Sequence, residues 1–354
     1  MTIEEINDTS ALEALGREWS LLWERCPSAT PFQSPEWLLP WWRHFGNDGL
    51  MTLAIRRRGR LAGIAPLFLF RHPEHGFRQV SLLGSGITDY LDFLLEPEAE
   101  EEGTRAVFEH LLSQKSRWDV GDFQELRGAS PLLSSPGIPG LLMQKTAMEA
   151  CPVLTLPDTR AAFRAGLSAR LRKELRYTRN SIERAGGAYT ETATGTTRQE
   201  FLEILFRLHR AAWEERGEGG VLAGPGIQAF HREVSAGFLE RGWLRLSVLY
   251  IGGSVSAALY SFAARERLYC YLSGFDPRAS LYSPGKFILW HAIEDALAGG
   301  IREFDFLRGR EEYKYTWGAR NRTNYRLLVW HSPSFRPEGA FKTMNEKTEA
   351  ASPL

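Results

Sequence analysis

Apolar positions recur along the chain at two spacings, one typical of helices and one typical of strands. Apolar runs on either side of Arg58-Gly59-Arg60 predict a β-hairpin, and a second hairpin turns at Gly252-Gly253. The strand "EFDFL" follows the last predicted helix. Helical spacing predicts helices over 9–25, 34–45, 98–116, 168–185, 197–216, 226–241 and 284–298. The pattern therefore indicates a chain that mixes helices with short, mostly hairpin-connected strands.

One motif occurs twice. The chain carries "DFQELRG" at 122–128 and "EFDFLRG" at 303–309, and each follows a predicted helix. The two Leu-Arg-Gly ends lie 181 positions apart, and the turn glycines Gly59 and Gly252 lie 193 apart. Similar offsets favour two copies of one α/β domain. The alternative, two unrelated units that share a common order, stays open on sequence alone.

A stretch rich in Pro, Gly and Ser separates the two copies. It covers 129–150, "ASPLLSSPGIPGLLMQKTAMEA", and such composition is typical of a connection between domains. We therefore predict an N-terminal domain over 1–150 and a C-terminal domain over 151–335. Residues 336–354 are predicted to form a flexible tail.

Composition excludes several function classes. Lys plus Arg is 43 and Asp plus Glu is 43, so the chain has no overall positive field that would attract nucleic acid. Cys26, Cys151 and Cys270 are far apart, and we expect neither a disulfide framework nor a metal site. The N-terminus does not resemble a signal peptide, and no apolar run approaches about 18 residues. We predict a cytoplasmic protein without membrane insertion.

The start of the predicted helix 284–298 is the strongest candidate for a binding site. It reads Ser283-Pro284-Gly285-Lys286, and proline suits the first turn of a helix. The first turn presents unpaired N–H groups and the positive end of the helix dipole, which together favour phosphate. Gly285 would let a bulky anion approach the backbone, and Lys286 adds positive charge. The alternative is an ordinary helix start that contacts only water.

Three residues near the second Leu-Arg-Gly are candidates for chemistry. Asp305 lies between Phe304 and Phe306, so strand alternation places it on the opposite face, where it could act as a base. The alternatives are an exposed Asp305 or one paired with Arg308. Tyr313 and Lys314 follow in "EEYKYTWG". Lys314 could meet a phosphate or carboxylate of a substrate, or it could pair with Glu311 or Glu312.

Further candidates are predicted to contact substrate. Arg172, Arg176 and Arg179 share one face of the helix 168–185 and form either an anion-binding surface or a solvated face. Trp213 and Glu214 could line the acceptor side. Asp89 and Asp92 in "TDYLDF" could contribute an acceptor site from the first domain or only cap a turn. We interpret His209 as structural and Cys270 as a buried, inert thiol.

The second half resembles a known enzyme superfamily. The stretch "YLSGFDPRASLYSPGKFILWHAIEDALAGGIREFDFLRGREEYKYTWG", with "RLRKELRYTRNSIERAGG" and "LHRAAWEERG", resembles the GNAT acyltransferases. More narrowly it is similar to the CelD/BcsL-like acetyltransferases associated with cellulose and exopolysaccharide production, relatives of the FemAB aminoacyltransferases. The resemblance implies an α/β (α+β) fold with two tandem GNAT-like domains, each a mixed, mostly antiparallel sheet flanked by helices.

The resemblance also implies a function. It predicts transfer of an acyl group, taken as acetyl, from acyl-CoA to an amine or hydroxyl of a polysaccharide or cell-envelope precursor, without a metal. The CoA pyrophosphate would then bind at Ser283, Pro284, Gly285 and Lys286. The sequence departs from the usual GNAT fingerprint Arg/Gln-x-x-Gly-x-Gly/Ala, because one glycine is present and Arg278 lies too far upstream. The alternatives are a FemAB-like transferase that uses aminoacyl-tRNA, which alone would involve nucleic acid, and a non-catalytic tandem module.

Overall fold

The protein is described here by a computed structural model, which covers residues 1–47, 49–135, 137–214 and 220–335. Contacts between residues divide the chain into two compact units. The first contains residues 1–150 and the segment from Arg322 onward, and the second contains residues 151–321. The predicted C-terminal domain extended to 335, whereas in the structure the residues from Arg322 to 335 belong to the first unit. The predicted tail 336–354 lies outside the described residues.

The first unit places helices beside two groups of strands. In chain order it contains β1 (Thr2–Ile6), α1 (Thr9–Ala14), α2 (Gly16–Arg25), α3 (Pro35–Phe45), β2 (Thr52–Arg57), β3 (Arg60–Ala65), β4 (Leu67–Arg71), β5 (Arg78–Leu82), β6 (Leu94–Leu95), α4 (Glu100–Ser113), β7 (Val120–Arg127) and α5 (Pro131–Ser134). The strand order is β1-β2-β3-β6 in one sheet and β4-β5-β7 in the other. All of these pairs are antiparallel except β5 with β7, which is parallel.

The chain passes from one unit to the other within two long strands. They are β8 (Leu142–Thr155) and β14 (Arg320–Trp330). β14 pairs with β7 in an antiparallel register from Asn324 to Trp330, and Leu327 and Val329 belong to the buried core of the first unit. This pairing and burial explain why the segment after residue 321 belongs to the first unit.

The second unit contains one mixed set of strands with helices. In chain order it contains α6 (Arg160–Gly166), α7 (Ala169–Arg184), β9 (Ala188–Thr192), α8 (Arg198–Glu214), α9 (Pro225–Glu240), β10 (Leu244–Ile251), β11 (Ser254–Ala264), β12 (Arg267–Phe275), α10 (Pro284–Ala298), β13 (Glu303–Asp305) and α11 (Glu312–Thr316). The strand order is β8-β13-β12-β11-β10-β9. Only β12 with β13 is parallel, and the other pairs are antiparallel.

The repeated motif corresponds to a repeated topology. In the first unit α4 connects the parallel strands β5 and β7, and in the second α10 connects the parallel strands β12 and β13. Each unit also contains a glycine hairpin, with Gly59 at φ 80° and Gly253 at φ 78°. Both units thus combine mostly antiparallel strands with flanking helices, in two sheets in the first unit, which confirms the predicted fold class.

Local signals explain several element boundaries. Ser168 caps α7, because its hydroxyl accepts the N–H of Leu171 at 3.1 Å, and Gly186 ends that helix with φ 100°. Leu171, Leu175 and Ile182 form its buried stripe. The predicted helix 9–25 is two helices in the structure, α1 and α2, which meet at Leu15.

Candidate functional site

An open stretch of β12 lies at the centre of the candidate site. β13 pairs with β12 only from Arg267 to Tyr269, and within the described residues no strand pairs with that edge between Cys270 and Phe275. On the other edge the register with β11 shifts, because Ser261 pairs with Cys270 while Tyr260 pairs with Leu272. Such bulges often lie beside active sites. Backbone groups on the open edge can therefore hydrogen-bond to a ligand.

The loop after β12 leads directly into α10. Asp276 fixes its start by accepting the N–H of Arg278 at 2.9 Å. Ser283 then adopts a left-handed conformation, φ 47°, and its carbonyl accepts the N–H of Phe287 at 3.1 Å. Among the described residues, no acceptor contacts the N–H groups of Gly285 and Lys286. Two backbone donors and the positive end of a 15-residue helix thus meet at one point, an arrangement that binds anions.

The fold does not require a glycine at position 285. A ligand bound at the start of α10 would require a small residue there. Its φ is outside the left-handed region, and an added Cβ would meet only Phe275 Cδ1, at an ordinary 3.7 Å. A larger side chain therefore fits at position 285 without a clash.

Lys286 forms an ion pair with a residue of α7. Its Nζ donates to Glu174 Oε2 on α7 at 2.6 Å, and Arg170 contacts the other oxygen of Glu174 at 2.9 Å. Hydrogen bonds from Lys286 and Arg170 lower the pKa of Glu174. This partner, which the sequence analysis missed, couples the start of α10 to α7.

Asp305 is buried together with both neighbouring phenylalanines. Its exposed fraction is 2%, and its Oδ1 accepts the N–H of Leu307 at 2.9 Å. Leu307 has φ 58°, a strained conformation for a branched residue. The role of Asp305 as a base stays a prediction. In the structure its carboxylate accepts a hydrogen bond from the backbone of this turn.

Lys314 is also buried, and oxygen atoms surround its ammonium. Its Nζ donates to the carbonyls of Arg308 at 2.5 Å and Gly309 at 3.2 Å, with a longer contact of 3.4 Å to Leu307. It lies 2.8 Å from Glu311 Oε2. Of the two alternatives for Lys314, the structure shows the ion pair with Glu311. This cation holds the segment 307–311 in one conformation.

Tyr313 completes this group of residues. Burial raises the pKa of its hydroxyl, and the neighbouring Cys270 and Glu311 raise it further. Burial also raises the pKa of the Cys270 thiol to about 12, with Lys314 opposing and Asp305 adding to the effect. Both groups are therefore neutral at pH 7. The raised pKa makes the Tyr313 hydroxyl a weaker acid than a free tyrosine, so it can act as a hydrogen-bond donor. Cys270 is a poor nucleophile, as predicted for an inert thiol.

The structure places the other predicted residues in several environments. Arg172 donates to the carbonyls of Ala165 and Leu167, at 3.0 and 2.6 Å, and so caps α6. Arg176 is exposed. Asp89 belongs to the first unit, where its buried carbonyl accepts from Asn324 at 2.8 Å. The backbones of Trp213 and Glu214 end α8, and their side chains lie outside the described part of the chain.

Two histidines on helices of the second unit have buried side chains. His209 on α8 and His231 on α9 are 5% and 1% exposed. Burial lowers the pKa of His209 to about 4 and that of His231 to about 3. The ring of His231 packs edge-on against Tyr260, 5.6 Å between centroids. Both rings are therefore neutral at pH 7, which agrees with the structural role predicted for His209.

Within the described ranges, no helix is long and apolar enough to cross a membrane. In the same residues, no three His, Cys, Asp or Glu side chains are grouped so that they could hold a metal ion.

A family model matches part of the second unit. Residues 169–315 match the family model described as "Acetyltransferase (GNAT) domain", and this segment lies within the second unit. No curated protein sequence matches the chain.

Solved structures share the fold of both units at low sequence identity. The chain is similar to FemX (TM-score 0.65, 10% identity, 97% of this chain and 100% of that chain covered). It is similar to L-PGS from Bacillus licheniformis (0.60, 12%, 99% and 98%). It is also similar to the C-terminal domain of a putative lysylphosphatidylglycerol synthetase from Agrobacterium fabrum (0.58, 10%, 95% and 96%). These matches establish the fold, and the narrower resemblance to cellulose-associated enzymes stays a prediction.

Proposed function

We propose that this chain, which carries an acetyltransferase (GNAT) domain over residues 169–315, transfers an acyl group from acyl-CoA to an amine or hydroxyl acceptor. The observation that carries the proposal is the pair of backbone N–H groups at Gly285 and Lys286, directly beyond the open edge of β12. These donors fit the pyrophosphate of CoA. The thioester would supply an acyl carbon activated toward a nucleophile.

Residues of the second unit would perform the remaining steps. Backbone N–H groups on the open edge between Cys270 and Phe275 would stabilise negative charge that develops on the acyl oxygen. The Tyr313 hydroxyl, which keeps its proton at pH 7, would donate a hydrogen bond to the sulfur as the C–S bond breaks, and the proton that the acceptor loses would pass through solvent to that sulfur. Lys314 and Asp305 would keep the segment before Tyr313 in place. Alignment of donor and acceptor by these elements would lower the barrier by several kcal/mol.

The acceptor and the acyl group belong to the same proposal. We take the acyl group as acetyl and the acceptor as a polysaccharide or cell-envelope precursor, and both rest on the resemblance of the sequence. The main rival is an aminoacyl-tRNA donor, since FemX shares the fold. Another rival is a module that binds such ligands without catalysis. The balanced charge of the chain favours the smaller donor.

Thermal stability measured in the presence of each donor distinguishes an acyl-CoA donor from an aminoacyl-tRNA donor. Acetyl-CoA at 100 times its dissociation constant should stabilise the protein by about 2.7 kcal/mol, and charged tRNA should not. Gly285→Glu should abolish the stabilisation, because its carboxylate would occupy the N–H groups and repel phosphate. Gly195→Glu is the control, because a Cβ at Gly195 meets no atom within 4 Å and a Cβ at Gly285 meets only Phe275 Cδ1, at 3.7 Å. Equal stabilisation of both variants by acetyl-CoA would disprove the phosphate site.

A further inference from the structure

We propose that the solvent face of α7 binds an anionic lipid surface. This inference goes beyond the proposed function and does not depend on which donor the protein uses. α7 carries six Lys or Arg residues and two Glu, a net charge of +4, in a chain whose overall charge is zero. The rest of the chain therefore carries −4, and positive charge is concentrated on this one helix.

One line of side chains faces away from the buried stripe of α7. Leu171, Leu175 and Ile182 form that stripe. Positions i, i+3, i+7 and i+14 lie on one side of a helix, and 14 residues advance about 21 Å along its axis. On the solvent side of α7 these positions hold exposed residues, namely Arg170, Lys173, Tyr177 and Arg184.

Intramolecular ion pairs use only part of the positive charge. Arg170 contacts Glu174 at 2.9 Å, and Arg179 lies 3.8 Å from Glu183. Arg172 instead donates to the backbone of α6. Three further cations of α7 are exposed and form no ion pair within the described residues; they are Lys173, Arg176 and Arg184.

Exposed apolar side chains accompany these charges. Tyr177 is 63% exposed, more than any other Phe, Tyr or Trp in the described part of the chain. Leu281, at 71%, is the most exposed large hydrophobic side chain there, and it lies on the turn Pro277–Tyr282, which contacts α7. Tyrosine is enriched at membrane–water interfaces, and apolar side chains gain by entering the acyl boundary. A nucleic acid offers no apolar layer for a leucine, so this combination favours a lipid surface.

The number of cations agrees with this partner. About four to eight Lys or Arg residues on an amphipathic helix are typical of binding to anionic lipid. Each cation near such a surface strengthens binding about fivefold, and the attraction fades within about one Debye length. The expected association is therefore reversible and sensitive to salt.

Co-sedimentation of the full-length protein with lipid vesicles tests the proposal. Phosphatidylcholine vesicles that contain about 30% phosphatidylglycerol, or about 30% phosphatidylserine, should bind the protein equally well, because each of these headgroups adds one negative charge. Vesicles of phosphatidylcholine alone should not bind it. Addition of about 0.5 M NaCl should release the protein from the anionic vesicles.

Charge removal tests the role of α7. The double variant Lys173→Gln/Arg184→Gln should weaken binding about 25-fold, the product of two fivefold factors. Arg57→Gln/Arg210→Gln is the matched control, because both arginines are exposed, lie on β2 and α8, and give the same change in net charge. Thermal unfolding checks that each variant stays folded. Equal loss of binding in the two double variants would overturn the assignment to α7.

A single substitution tests the aromatic contact. Tyr177→Ser should weaken binding to anionic vesicles, because it removes the ring that enters the headgroup region. Tyr189→Ser is the matched control, since Tyr189 is also an exposed tyrosine, at 51%, and lies on β9. Wild-type binding by Tyr177→Ser would overturn the proposed insertion of this face.

Three further results would overturn the proposal. The first is absence of binding to both anionic vesicles. The second is binding to only one of the two headgroups, which would indicate a specific lipid site. The third is binding of duplex RNA and not of vesicles, with a loss in Lys173→Gln/Arg184→Gln, which would make this face a nucleic-acid surface. Stabilisation by acetyl-CoA does not depend on this face, so either proposal can fail without the other.

Discussion

The ammonium of Lys314 lies 2.8 Å from Oε2 of Glu311, and both side chains are largely shielded from water, at 3% and 16% exposure. The same ammonium contacts three backbone carbonyls of residues 307–309. One cation thus neutralises one carboxylate and satisfies three acceptors in a loop whose Leu307 has a positive φ of 58°. Burial makes these contacts strong and also makes their loss costly.

The first prediction concerns this cation. Lys314→Met should reduce the free energy of unfolding by about 3 kcal/mol, because it leaves a carboxylate and several carbonyls without their donor. Urea unfolding followed by tryptophan fluorescence measures the change. Lys173→Met is the control, because Lys173 is exposed on α7. A loss below about 0.5 kcal/mol would show that the loop does not depend on Lys314.

The second prediction concerns Tyr313. Tyr313→Phe removes only the hydroxyl, so donor affinity and stability should stay near wild type while kcat falls about 100-fold, as expected for loss of a hydrogen-bond donor to the departing sulfur. Steady-state kinetics with acetyl-CoA and calorimetric binding give the two values. Tyr315→Phe is the matched control, because its hydroxyl contacts Asn321 at 2.7 Å on the exposed side of α11. Unchanged kcat in Tyr313→Phe would remove Tyr313 from the mechanism.

The third prediction concerns pH and the first unit. Burial raises the pKa of Asp92 to about 7, although Ser130 and the N–H of Phe93 donate to its carboxyl. In the unfolded chain the group ionises near pH 4. Between these values the folded state holds a proton that the unfolded state has lost, so the contribution of Asp92 to stability falls as pH rises from about 4 to 7.

Asp92→Asn should therefore stabilise the protein at pH 8 by up to about 4 kcal/mol relative to wild type, and by almost nothing at pH 4. The amide oxygen can still accept from Ser130 and Phe93, which keeps the geometry. Thermal unfolding at both pH values gives the comparison, with Glu98→Gln as an exposed control in the same unit. An equal effect at pH 4 and pH 8 would mean that Asp92 ionises normally in the folded state.

Sequence alone predicted the features that local chemistry sets. The bounds of α10 were predicted as 284–298 and match the structure, because Pro284 favours the first turn and Gly299-Gly300 ends the helix. The glycine hairpins and the buried stripe of α7 also follow from residues close together in the chain. The predicted helix 9–25 was wrong in one respect, since the structure divides it at Leu15.

Only the tertiary structure decided which polar groups meet. Lys286 pairs with Glu174, 112 positions away, and Asn324 contacts the Asp89 carbonyl, 235 positions away. The open edge of β12 exists because β13 pairs with only three of its residues. Local propensity selects helices, turns and strands from neighbouring residues. The partner of a buried charge instead depends on how distant segments pack, and it is desolvation in that packing that shifts the pKa values of Tyr313 and Asp92.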